Sequence, residues 1–221
     1  MRGLPDGGVA ITGPAKVEVM TKAVIFDLGK VLVPFDFQRG YDRLQPLCGY
    51  SVEEVRKRIG ATGLVTKLES GLLKSEEFVS RLGEALGVAF DYDQFCEIWS
   101  CIFLPGTLVP ESLVAGLKKR YPLVLLSNTN AMHFEMLQCN YPILRHFENR
   151  ALSHEVGATK PNPLIYRRAV ELAGCRPEEC FFTDDIQEYV EGARNVGIDA
   201  VQFQSAEQLQ NELSKRNVRW D

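Results

Sequence analysis

No apolar stretch in this 221-residue chain approaches the ~20 residues that a bilayer span requires, and the N-terminus has no apolar core of a secretory signal. Neither a membrane partner nor an exported protein is therefore expected. Positive charge is not in excess either: 25 Lys and Arg stand against 29 Asp and Glu, a net charge of -4. Nucleic-acid backbones are held mainly by Lys and Arg, so nucleic acid is not the expected partner. The six cysteines (Cys48, Cys96, Cys101, Cys139, Cys175, Cys180) form no Cys-x-x-Cys pair, and His133, His146 and His154 do not join them at zinc-site spacing. Reduced thiols in a cytoplasmic protein are the plain reading. There is no internal repeat and no low-complexity tract. What remains, 45% hydrophobic and 24% charged, is ordinary for a globular chain, with room for one α/β domain and a small accessory domain.

Residues 1–19 are rich in Gly and Pro and are expected to form a flexible N-terminal extension, with Met20 a candidate natural start. Ala23-Val24-Ile25-Phe26 follows, a run apolar on both faces that suits a central parallel strand and stops at Asp27. Between about residues 38 and 104 helical periodicity takes over. In Ser75 to Leu86, for example, Phe78, Leu82 and Leu86 fall on one face. After Pro105 strands and helices alternate: Leu123–Leu126 ending at Ser127, a weaker strand near Arg150–Ser153, Cys180–Phe182 ending at Asp184-Asp185, and Ala200–Phe203. Such alternation implies a doubly wound parallel sheet. The expected architecture is an α/β core of residues 20–37 and 105–221, with a helical insertion over 38–104 after the first strand.

Three of these apolar runs finish in residues capable of chemistry: Asp27, Ser127 and the Asp184-Asp185 pair. In a parallel sheet all of them emerge at the carboxyl edge, where such folds bind ligands. One polar residue after a strand means little, since every strand must leave the core, but three such endings with Lys160 just ahead of a helix start form a pattern. Asp27, Asp184 and Asp185 together would be three carboxylates in one crevice, each pair repelling by roughly 4 kcal/mol at ~4 Å. One lysine does not offset several such pairs, whereas a divalent cation with oxygen ligands does, and magnesium is the expected choice.

The segments Phe26-Asp27-Leu28-Gly29-Lys30-Val31-Leu32, Leu126-Ser127-Asn128-Thr129-Asn130, Lys160-Pro161-Asn162-Pro163 and Phe182-Thr183-Asp184-Asp185 resemble, in order, the four motifs of the haloacid dehalogenase superfamily. The first is most similar to the branch reading Asp-Leu-Gly, which includes glucose-1-phosphate phosphatases and the phosphatase domain of soluble epoxide hydrolases. The resemblance implies a Rossmann-like core with 38–104 as its cap domain. It also implies a magnesium-dependent phosphatase acting on a small phosphorylated metabolite, a sugar phosphate by preference, as a monomer or homodimer. Asp27 would attack phosphorus and become an aspartyl phosphate. Ser127, Asn128 and Lys160 would hold the phosphoryl group, Lys160 also orienting Asp27. Asp27, the Gly29 carbonyl and Asp185 would ligate magnesium, with Asp184 beside them.

The chain departs from that pattern at three places. Gly29 stands where most family phosphatases carry a second Asp, the general acid and base. Lys30 replaces a commoner Gly, and Tyr189 occupies a place often held by Asp or Asn. With no acid at position 29, phosphates on an anomeric carbon are expected to outrank those on primary alcohols. His133, Trp99, Arg39 and Glu69 are read as packing or solvated side chains outside the site. Two alternatives stay open: a metal-independent 2-haloacid dehalogenase, and a non-catalytic phosphometabolite-binding protein.

Overall fold

Four consecutive apolar side chains in Ala23–Phe26 (β1) are all completely buried, which requires cover on both faces of the strand. The computed structural model, which describes residues 19–221, supplies it with helices on each side. The expected extension over 1–19 lies, Val19 excepted, outside the described residues.

Chain order after β1 is α1 (Phe37–Cys48), α2 (Val52–Thr62), α3 (Leu64–Glu69), α4 (Ser75–Leu86), α5 (Tyr92–Ser100) and α6 (Glu111–Lys118). Then come β2 (Leu123–Ser127), α7 (Ala131–Asn140), β3 (Asn149–Leu152), α8 (Ser153–Val156), α9 (Pro163–Ala173), β4 (Cys180–Asp184), α10 (Gln187–Asn195), β5 (Asp199–Gln202) and α11 (Ala206–Lys215). The strands form one parallel sheet in the order β3-β2-β1-β4-β5. The alternation of the strands sorts their side chains. Val24, Phe26, Leu123, Leu125 and Phe181 pack with α6, α7 and α11. Ala23, Ile25, Val124, Leu126 and Phe182 pack with α9 and α10 on the other face. The chain winds outward from β1 through β2 to β3, then returns to lay β4 on the free side of β1. That reversal creates the crevice at the carboxyl edge. Phe26 pairs with Leu125 and with Thr183, so Asp27, one residue on, emerges between the ends of β2 and β4.

Helices α1 to α5 close over a separate apolar cluster that includes Leu44, Val55, Phe78, Leu82 and Phe95. Three of these helices, α1, α2 and α5, are capped at their starts by side chains: Asp36 accepts from the Gln38 N–H, Ser51 from the Glu54 N–H and Asp91 from the Gln94 N–H. The chain enters and leaves this layer side by side through an antiparallel bridge between Phe35 and Phe103. β3 and β5 each begin one residue before the expected apolar runs. Both lie at the sheet's edges and begin on a residue that is not buried, so hydrophobicity marks the boundary poorly.

Candidate active site

Asp27 leaves β1 with its N–H donated to the Thr183 carbonyl (3.0 Å) and is only 6% exposed. Lys160 approaches from the loop before α9. Its Nζ donates to Asp27 Oδ1 at 2.6 Å and to Asp184 Oδ2 at 2.5 Å, all three side chains being buried. Asp184 accepts a further bond from the Ile186 N–H on its other oxygen (2.9 Å). Asp185 completes the group: one oxygen from each of Asp27, Asp184 and Asp185 lies within 4.8 Å of the others.

The loop that carries Lys160 is held by Asn128. The Lys160 N–H donates to Asn128 Oδ1 (2.7 Å), and Asn128 Nδ2 donates to the Lys160 carbonyl (3.1 Å). The Asn128 side chain thus ties the end of β2 to the lysine loop, leaving its backbone N–H as the group available to a ligand. Ser127 is buried, and its Oγ has only a long 3.5 Å contact to the Asn128 carbonyl, so the hydroxyl is free to donate elsewhere. Tyr189, on the first turn of α10, places its ring 5.0 Å from Lys160 Nζ and its hydroxyl 3.4 Å from Asn128 Nδ2. It therefore lies against the lysine rather than among the three carboxylates.

Burial, opposed by Lys160 and reinforced by Asp184, pushes the Asp27 carboxyl up to about 7. Burial also raises Asp185, with Asp184 adding to it. For Lys160 burial works against the charge, but Asp27 and Asp184 outweigh it and raise its pKa. Three carboxylates are gathered here with one lysine shared between two of them, so further positive charge would favour the ionised form of Asp27. The donors are hard oxygens, two acids with a third half-exposed beside them, and the Gly29 backbone follows two residues after Asp27. That donor chemistry fits magnesium.

Gly29 has no room for a side chain: a Cβ there would lie 2.6 Å from Phe35 Cε1. The Phe35 ring is set edge-on against Phe37 (4.9 Å) and Phe103 (6.1 Å), with Lys30 Nζ 5.1 Å from its centroid. Lys30 itself takes a left-handed φ of 55° to make this turn. A cavity of about 70 Å³ opens beside Gly29, walled by Phe35, Ser127, Asn128, His133 and Glu69. It adjoins a second of about 140 Å³ inside the helical layer, and Phe37, Glu69, Ile102 and His133 line both.

His133 is a buried, packed side chain rather than a solvated one. Its Nε2 sits 3.0 Å from the Trp99 carbonyl and its Nδ1 3.2 Å from Asn130 Nδ2, which suits a neutral ring protonated at Nε2. Burial holds its pKa down at about 4, the Trp99 contact opposing. Because that lies below the unfolded value of ~6.5, the stability from a neutral His133 is present above pH 6.5 and is lost as pH falls towards 4. Asp27 and Glu69 titrate with the opposite sign in the same window, so a comparison of variants isolates the histidine. The cost of His133→Gln, measured by urea unfolding, should be smaller at pH 5 than at pH 7 by up to about 2 kcal/mol.

A doubly wound sheet with a carboxylate–lysine crevice at its switch point is the arrangement in which such folds bind ligands. The chain belongs to the haloacid dehalogenase-like hydrolases, whose family description matches residues 21–197. It is 26% identical over 201 residues to D-ribitol-5-phosphate phosphatase of Bacteroides thetaiotaomicron, covering 88% of this chain and 98% of that one. A haloacid dehalogenase family enzyme of the same organism, solved in complex with magnesium and inorganic phosphate, superposes with a TM-score of 0.75 at 26% identity, covering 84% of this chain and 95% of its own. L-2-haloacid dehalogenase of Xanthobacter autotrophicus shares the fold alone, at 20% identity and a TM-score of 0.59 over 91% of this chain and 89% of its own.

Proposed function

We propose that the protein is a magnesium-dependent phosphatase that hydrolyses a small phosphorylated metabolite, of the sugar or polyol phosphate class, through an aspartyl phosphate on Asp27. The observation that carries this reading is the buried Lys160 bridge between Asp27 and Asp184, with Asp185 alongside. It presents a nucleophilic oxygen and a fixed cation to an anionic phosphoryl group at one point. The names of the relatives at 26% identity point the same way.

In this reading Asp27, the Gly29 carbonyl and Asp185 hold magnesium, with Asp184 beside them fixing Lys160. The ion supplies charge compensation between the carboxylates and the phosphoryl oxygens and polarises phosphorus. Asp27 attacks phosphorus in line as the ester oxygen leaves, and water then attacks the same phosphorus to release phosphate and restore Asp27. Lys160 holds the Asp27 carboxylate in position, while the Ser127 hydroxyl and the Asn128 N–H donate to the phosphoryl oxygens as their charge grows. Residues 38–104 act as the cap that selects the leaving group, through the two cavities they share with the crevice.

The dehalogenase reading meets a physical obstacle: an anionic haloacid would face Asp184 and Asp185 with Lys160 as the counter-charge already engaged by two carboxylates. Phosphate and halide release, each assayed with magnesium and with chelator, decides the matter. Phosphate release from sugar and polyol phosphates should need magnesium and fall to background with chelator, with no halide released from 2-haloacids. Halide release that survives chelation would overturn the proposal, as would the absence of phosphate release from every ester.

A further inference from the structure

The crevice lacks a proton donor where one is needed. Phe35 fills the space that a side chain at position 29 would occupy, and its packing against Phe37, Phe103 and Lys30 fixes it there. Of the polar groups on the cavity wall beside Gly29, most are already engaged. The Asn128 amide is spent on Lys160, both ring nitrogens of His133 have partners, and the Thr129 N–H and carbonyl bond Ser153 Oγ. Glu69 is different. Among the described residues its carboxyl group has no hydrogen-bond or ion-pair partner, and it lines both the cavity at Gly29 and the one behind it.

Glu69 is also held over the crevice by the backbone. It is the last residue of α3, and two residues later the chain turns at Gly71, with φ +68°, directly against the His154 carbonyl. A side chain at 71 would collide there. His154 in turn lies 3.1 Å, through Nδ1, from the carbonyl of Thr129, in the loop that follows Ser127. The end of α3 is thus seated on the loop that holds the phosphate-binding groups. Burial raises the Glu69 carboxyl to about 6, close to the working range where an acid both gives and takes a proton effectively.

We propose that Glu69 is the catalytic acid and base of this enzyme, in place of the side chain that Gly29 lacks. As the Asp27 Oδ–P bond forms and the P–O bond to the leaving group breaks, the Glu69 carboxylic acid gives its proton to the departing oxygen, which leaves as an alcohol. The Glu69 carboxylate then takes a proton from the water whose oxygen attacks phosphorus, and the Asp27–P bond breaks to yield phosphate and the free Asp27 carboxylate. With this acid present, the preference for anomeric phosphates expected from Gly29 alone disappears, and unactivated primary-alcohol phosphates become full substrates. The inference rests on the phosphatase reading above.

The test is Glu69→Gln assayed on a primary-alcohol polyol phosphate and on p-nitrophenyl phosphate, whose phenolate leaves without a proton. Glu69→Gln keeps the shape of the side chain, and its fold is checked by circular dichroism. On the polyol phosphate kcat/KM should fall by about 10²–10³-fold, as loss of proton transfer requires. On the aryl ester kcat/KM should stay within a few-fold, while pre-steady-state kinetics show a burst of one nitrophenol per enzyme followed by slow turnover, because the second half-reaction has lost its base. Equal losses of kcat/KM on the two esters, or no loss on the polyol phosphate, would overturn the assignment of Glu69. A wild-type protein inactive on both would instead sink the phosphatase reading itself.

Discussion

Asp27→Asn should lower phosphate release by at least about 10⁴-fold, the scale on which removing a nucleophile acts in enzymes that use one. The substitution keeps the volume of a side chain that is 6% exposed, so the fold should persist by circular dichroism. It also removes a charge from a crowded place. Asp27, Asp184 and Asp185 lie within 4.8 Å of one another, and burial together with Asp184 already pushes Asp27 up to about 7 despite Lys160. The metal-free variant should therefore be at least as resistant to urea as the wild type at pH 8. Function and stability are opposed at this site, as is common where like charges are gathered for chemistry.

Lys160→Met should have the second-largest effect and act on both properties at once. The lysine ammonium is within 2.6 Å of Asp27 and 2.5 Å of Asp184, with side-chain exposures of 2%, 8% and 0%. Removing one member of a buried ion cluster leaves the others without compensation, at a cost of about 3–5 kcal/mol, so the urea midpoint should fall clearly. Turnover should fall by about 10²–10³-fold, the scale for losing one group that meets developing charge. Added magnesium should restore part of the stability, because a second cation can take over the compensation, but little of the turnover, because it cannot orient the Asp27 oxygen as Lys160 does. Full activity in this variant would mean that the lysine is structural.

The core strands were legible because they are buried on both faces. Ala23–Phe26, Leu123–Leu126 and Cys180–Phe182 stand out as unbroken apolar runs, and each leads to a residue at the crevice. The helix at Pro163 was legible from its start, where Asn162 accepts from the Leu164 N–H and Pro occupies the first turn. The meeting of Asp27, Lys160, Asp184 and Asp185 follows from strand order, which alternation and motif order together imply. Other features depend on contacts between residues far apart in the chain, which no local pattern records. The Asn128 bracket spans 32 residues to Lys160. The filling of the Gly29 space by Phe35 depends on a turn shaped by Lys30 in a left-handed conformation. Glu69 looks in sequence like any acid near a helix end, and only the approach of Gly71 to His154 places it on the cavity. His133 reads in sequence as either packed or solvated, and the contacts of Trp99 and Phe103 from the helical layer make it the former.

In the proposed reaction phosphorus is bonded for a time to Asp27. Rapid acid quench during turnover of p-nitrophenyl phosphate with magnesium, followed by mass spectrometry of the peptide that contains residues 23–30, tests it directly. One added phosphoryl group is expected, located on Asp27, more abundant in Glu69→Gln than in the wild type and absent from Asp27→Asn. An unmodified Asp27 in Glu69→Gln quenched within its burst, or a phosphoryl group on another residue of a fully active enzyme, would contradict it.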